Sequence, residues 1–168
     1  KEDPNCPRNA FYYARELTFY SRWDEAIAAL EKYLAMPEAT WPNERSYAMR
    51  LLGRCHEETN GDPLYWYRRA CAEAPQTREA WRDLAMCCYR RGIWQECYSS
   101  AANGLAIKDK ELVYTMDPSV WGHELHDLAA ISAYHLGMKE EAIKQGQLAI
   151  DLNPGNERLI KNLELYKE

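Results

Sequence analysis

Leu125-His126-Asp127-Leu128-Ala129-Ala130-Ile131-Ser132-Ala133-Tyr134-His135-Leu136-Gly137-Met138-Lys139-Glu140-Glu141-Ala142-Ile143, continuing through Ala149 to Asn153-Pro154, is the stretch whose reading decides the fold. It reads as two amphipathic helices folded back on each other. Ala130 and Ala142 are small enough for the two backbones to approach closely. Gly137 supplies the permissive dihedrals of the turn, and Pro154 stops the second helix before the next element.

The same grammar recurs upstream. A first helix is expected from about Arg8 to Tyr20, with Ala14 at the small packing position and Ser21 where the later pair has Gly137. Trp23-Asp24-Glu25-Ala26-Ile27 opens its partner, which Met36-Pro37 ends. A second pair begins near Pro42-Asn43, carries Tyr47, Leu51, Leu52 and Cys55 with Gly53 as the small residue, and turns at Gly61-Asp62-Pro63. That tripeptide predicts a glycine C-cap, an aspartate N-cap and proline at the first helical position. In the third pair Thr77 is the expected N-cap, followed by Trp81, Leu84, Ala85, Cys88, Gly92 and Trp94. Between the third and fourth pairs the spacing lengthens. Lys108 to Asp117 reads as an inserted loop, and Asp117-Pro118 as the cap of a helix that starts early, near Ser119. Glu157 to Lys167 closes the chain as a helix.

Gly137, Ala142, Ala149 and Pro154 fall where the tetratricopeptide repeat (TPR) pattern, with its period of about 34 residues, places its turn glycine, two small residues and closing proline. The chain therefore resembles a TPR domain. That resemblance implies an all-α, right-handed superhelix of about four helix-turn-helix repeats, approximately 8–37, 42–75, 77–107 and 119–154. A capping helix over 157–167 completes a single domain spanning 1–168.

Composition narrows the function classes. Hydrophobic content of 46% with eight glycines and eight prolines describes an ordered chain. No run has the apolar length needed to cross a bilayer, which predicts no membrane partner. A net charge of -5 argues against broad nucleic-acid binding, because neutralising phosphates requires a basic face. Of six cysteines, Cys55, Cys71, Cys87, Cys88 and Cys97 sit within helical patterns where a small apolar residue packs. Reduced thiols and a cytoplasmic location are expected.

Helix A of each TPR repeat lines the concave side. The positions expected there are Arg8, Phe11, Tyr12, Arg15 and Phe19, then Tyr47, Arg50 and Arg54, then Arg82, Asp83, Met86, Tyr89 and Arg90, and finally Asp127, Ile131, Tyr134 and His135. Of these, Arg8, Tyr12, Arg15, Tyr47, Arg50, Arg54, Arg82, Tyr89, Arg90 and Tyr134 form the candidate binding groove. Forked donors and stacking faces suit an extended peptide with acidic groups, or a glycan or nucleotide. The bland alternative is a set of ordinary solvated helix faces. A carboxylate clamp for chaperone tails is not expected, because its positions hold Phe11, Arg15, Leu51, Glu79 and Asp83.

Catalysis finds little support. His123 and His126 have no third ligand from a recognisable motif, and Cys55-His56 diverge by about 100° on a helix. No metal, cofactor or catalytic residue is assigned.

Three stretches resemble something narrower than a repeat: Lys1-Glu2-Asp3-Pro4-Asn5-Cys6-Pro7-Arg8-Asn9-Ala10-Phe11-Tyr12-Tyr13-Ala14-Arg15-Glu16, Glu44-Arg45-Ser46-Tyr47-Ala48-Met49-Arg50-Leu51-Leu52-Gly53-Arg54-Cys55 and Asp117-Pro118-Ser119-Val120-Trp121-Gly122. They are similar to the TPR region that follows the catalytic domain in bacterial and phage family 2 glycosyltransferases. The resemblance implies a non-catalytic accessory module that positions an acceptor, self-associates or recruits a partner. Its catalytic domain, with an acidic metal-binding motif, would precede Lys1 in the same chain. A free-standing TPR adaptor is the rival, and a chain opening on Lys1 without methionine favours the first.

Overall fold

A computed structural model describes residues 6–168. Residues 1–5, at the start of the first of the three stretches singled out above, lie outside the described residues. Within them the chain is helical and divides after Pro75 into two compact units.

The first unit holds α1 (Pro7–Phe19), α2 (Trp23–Leu34), α3 (Pro42–Glu58) and α4 (Pro63–Glu73). Prolines at the first helical position of α1, α3 and α4 start those helices where a missing amide hydrogen costs nothing. α1 packs on α2 and α3, and α3 on α4. Phe11, Ala14, Leu17, Ala26, Leu30, Tyr33, Leu51, Leu52 and Cys55 form its core. At Gly53 a Cβ would fall 2.6 Å from the Tyr67 ring, so only glycine lets α3 and α4 close to this distance. Polar contacts also tie α3 to its neighbours. The Tyr33 hydroxyl donates to the buried Glu44 carboxylate at 2.8 Å. Arg45 donates to the Leu34 and Ala39 carbonyls and, at 2.7 Å, to Glu73.

The turns between paired helices carry left-handed backbone at Ser21 (φ 56°), Gly92 (φ 68°) and Gly137 (φ 74°), so Ser21 does occupy the turn-glycine position. In the second pair the expectation needs correction. The left-handed residue is Asn60 (φ 57°), one before Gly61. Asparagine tolerates this region through local hydrogen bonding. Asp62 does cap α4, accepting from the Tyr65 amide at 3.3 Å.

The second unit holds α5 (Arg78–Arg90), α6 (Trp94–Ala106), α7 (Glu124–His135), α8 (Lys139–Leu152) and α9 (Glu157–Lys167). Neighbours in sequence pack on one another; α5 also meets α7, and α7 meets α9. Ala142 is fully buried against Ala130, Ala133, Leu163 and Tyr166. Asn156 caps α9 with its side-chain oxygen. The helix expected to start near Ser119 does not. Pro118–Trp121 forms a short 3-10 turn capped by Asp117, and Gly122 turns extended (ψ -150°) before α7 begins at Glu124. Aspartate bonding to the amide two residues on closes a local turn that competes with helix propagation.

Candidate functional site

In the first unit, helical spacing brings Tyr12, Arg15 and Phe19 of α1 onto one stripe and Tyr47, Arg50 and Arg54 of α3 onto another. Phe11 is fully buried, and its ring lies 5.9 Å from Tyr12, 5.4 Å from Tyr33 and 5.5 Å from Tyr47. It is thus an anchor beneath the surface, not a groove residue as the helical position suggested. The half-buried Tyr12 and Tyr47 rings, held against it, present aromatic faces to arginines. The Arg15 guanidinium lies 4.9 Å from the Tyr12 centroid and 5.5 Å from that of Phe19. Arg50 lies 5.2 Å from Tyr47, and Arg54 5.9 Å from Trp23. A guanidinium over a ring is attracted by the ring's quadrupole. Glu16 approaches Arg15 only at 3.5 Å, and the Arg15 Nε is buried without a hydrogen-bond partner. Arg8 is exposed at the start of α1.

The second unit treats its arginines differently. Arg82 donates to Asp83 at 2.6 Å, Glu124 at 3.0 Å and Asp117 at 3.2 Å, with its side chain 17% exposed. Burial opposes its charge, but Asp83 and Glu124 outweigh that and raise its pKa further. Asp117 is likewise drawn two ways: burial raises its pKa, while hydrogen bonds from the Ser119 hydroxyl and amide, with the Arg82 charge, lower it overall. The Asp117 amide donates to Glu79 at 2.8 Å. Arg78 donates twice to the Ile107 carbonyl and lies 3.7 Å from the Trp121 centroid. Both ends of the inserted segment are thereby fixed to α5. Sequence reasoning placed Arg82 among outward-facing groove residues; Asp117-Pro118 and Trp121 were visible, but their spatial partners were not.

Tyr89 and Tyr134 are more than one-third exposed. Tyr89 meets the Trp94 ring edge-on at 6.1 Å, Trp94 stacks on His135 at 3.8 Å, and Tyr134 lies 5.2 Å from Tyr166. Arg90 is exposed at the end of α5. Asp127 is bound by both terminal nitrogens of Arg158. Of the ten candidate residues, then, six lie on α1 and α3 of the first unit. Tyr89, Arg90 and Tyr134 lie at helix ends in the second, and Arg82 is enclosed by carboxylates.

The histidines turn to separate partners: His126 Nδ1 is 2.7 Å from Gln145, and His123 Nδ1 is 3.5 Å from Asn153. None of the six cysteines is in a disulfide. Burial pushes the Cys55 and Cys97 thiols up to about 11, which holds them in the unreactive protonated form. Among the described residues no helix is long and apolar enough to cross a membrane.

No family model matches the sequence, and no curated protein matches it. Solved structures do. MamA is 15% identical over 95% of this chain and 80% of its own, with a TM-score of 0.74. YrrB, described as a TPR protein with an unusual peptide-binding site, is 12% identical over 98% of this chain and 77% of its own, with a TM-score of 0.74. PilF of Pseudomonas aeruginosa is 14% identical over 98% of this chain and 67% of its own, with a TM-score of 0.68. Identities this low speak to architecture alone, and the architecture is the all-α TPR fold.

Proposed function

We propose that this chain is a non-catalytic protein-interaction module whose first unit binds an extended acidic segment of a protein partner on the α1 and α3 surface. The observation that carries the reading is Arg15, poised between the Tyr12 and Phe19 rings, with Arg50 over Tyr47 beside it. The Tyr12 and Phe19 rings hold the Arg15 guanidinium without neutralising it, so a carboxylate meets a pre-oriented donor and little side-chain entropy is lost. The peptide-binding site in YrrB's description supports a peptide as ligand for this fold. The test is a titration of a fluorescein-labelled Asp/Glu-rich peptide into the full chain, read by anisotropy. Arg15→Glu with Arg50→Glu should weaken binding at least about tenfold. Affinity unchanged by the pair of substitutions, or insensitive to salt, would sink the reading.

The three glycosyltransferase-like stretches support placing this module beside the catalytic domain of a family 2 transferase, with the acidic segment supplied by a partner or by an acceptor-bearing protein. Reading the gene upstream of Lys1 tests it. An in-frame α/β domain with an aspartate-x-aspartate motif after a strand is expected, and a start codon at Lys1 would leave a free-standing adaptor.

A further inference from the structure

The inserted segment between α6 and α7 turns one backbone edge inward and the other outward. Residues 107–113 run without helix, turn or bend, and Lys108, Asp109, Lys110, Glu111 and Leu112 are all exposed. In an extended run the N–H and C=O of one residue point to the same side, and successive residues alternate sides. The Ile107 carbonyl accepts from Arg78 of α5 at 2.7 and 3.1 Å, and the Val113 carbonyl accepts from the Met116 amide at 3.0 Å. Both are odd-numbered, so that edge of the run faces the protein itself. The opposite edge belongs to Lys108, Lys110 and Leu112, and among the described residues no hydrogen bond reaches the backbone of any of them. α5 holds the segment at both ends, through Arg78 at Ile107 and through Arg82 and Glu79 at Asp117, so the outward edge is presented between two anchors. Leu112 within it is 82% exposed.

We infer that residues 108–112 are a docking strand, which adds to the open edge of a β-sheet in a protein partner through the backbone groups of Lys108, Lys110 and Leu112. Strand addition draws affinity from main-chain hydrogen bonds and specificity from alternate side chains. Here the alternation sets Lys108, Lys110 and Leu112 on one face and Asp109 and Glu111 on the other. The complementary edge strand carries acidic residues opposite the lysines, an apolar residue opposite Leu112 and basic residues opposite Asp109 and Glu111, since opposite charges across a pair stabilise and like charges repel. The same charges disfavour a second copy as occupant: antiparallel pairing of this edge with itself about Lys110 sets lysine against lysine. Lysine on an exposed edge is also what keeps it from pairing indiscriminately. This site lies in the second unit and does not depend on the arginine surface of the first.

The experiment follows amide shifts and hydrogen exchange by NMR in the full chain. The probe is a β-hairpin peptide closed by an Asn-Gly turn, whose outer strand reads valine, lysine, glutamate, lysine, glutamate, antiparallel to residues 108–112. The control is the same hairpin N-methylated on its valine and glutamates, which removes the donors of the pairing edge. Saturable shifts and slowed exchange are expected at Lys108, Lys110 and Leu112 and not at Asp109, whose N–H points to the other edge. The methylated hairpin should bind at least about tenfold more weakly. Lys110→Pro deletes the central amide and should abolish the response. Should that variant fail to fold, Lys110→Glu, which keeps the amide and reverses the charge, must still weaken binding about threefold or more. No response to the hairpin, equal response to its methylated form, slowing that ignores the alternation, or full affinity in Lys110→Glu each overturns the proposal. So does concentration-dependent slowing of the same amides without hairpin, which would assign the edge to a second copy of this chain.

Discussion

Arg15 in the first unit lies between two aromatic rings, whereas Arg82 in the second lies among three carboxylates. Both arise from the first helix of a pair, and both looked alike as outward-facing basic residues. The difference is in what reaches them. Around Arg15 the neighbours come from its own helix, at i-3 and i+4, and aromatic faces leave its charge available. Around Arg82 an acidic neighbour, the start of α7 and the end of the inserted segment converge, and its donors are consumed. An arginine's position on a repeat therefore does not define its role; the elements that close over it do.

The largest expected effect tests whether Arg82 is structural. Arg82→Met should leave Asp83, Asp117 and Glu124 clustered without their cation and destabilise the chain by about 3 kcal/mol, seen as a lower urea midpoint. Acidic-peptide affinity, measured on the folded variant, should stay unchanged. Loss of binding with little loss of stability would erase the contrast. Next, Ala142→Arg should cost at least ~1 to 3 kcal/mol by overpacking the α7 and α8 seam, and Gly53→Ala a comparable amount against the Tyr67 ring of α4. An unchanged melting midpoint in either would count against the helix pairing described for that unit.

Acid should separate the two units as well. Asp117 titrates below its unfolded value of about 3.9, so its contribution to stability is fully present above that pH and is lost as pH falls through the depressed folded value. In Asp117→Asn the acid limb of stability below about pH 4 should flatten relative to the parent, as followed by circular dichroism. Arg15→Gln should leave that limb in place. The smallest effect is at Ser21, whose φ of 56° penalises a side chain. Ser21→Gly should stabilise the first unit by a few tenths to about 1 kcal/mol, while Gly92→Ser at the matching turn should destabilise by a similar amount. Calorimetry resolves the sign.

Much of the helical order was legible because it depends on short-range chemistry. Proline at a helix start, small residues at Ala14, Gly53, Ala130 and Ala142, and turn positions at Ser21, Gly92 and Gly137 each act within a few residues or across one helix pair. The early helix near Ser119 was misread because Asp117 and Gly122 organise a tight turn that competes with it. Phe11 was misread as surface because helical phase alone does not say that Tyr33 and Tyr47 will enclose it. The first-unit stripe of Tyr12, Arg15, Tyr47 and Arg50 was legible as residue types, and its cation–π geometry was not.

By itself the sequence determined that this protein is a series of paired helices followed by a further helix, since period, turn residues and small seam positions are local and repeat. Only the tertiary structure decided that Arg82 is neutralised, because Asp117 and Glu124 reach it from 35 and 42 residues away.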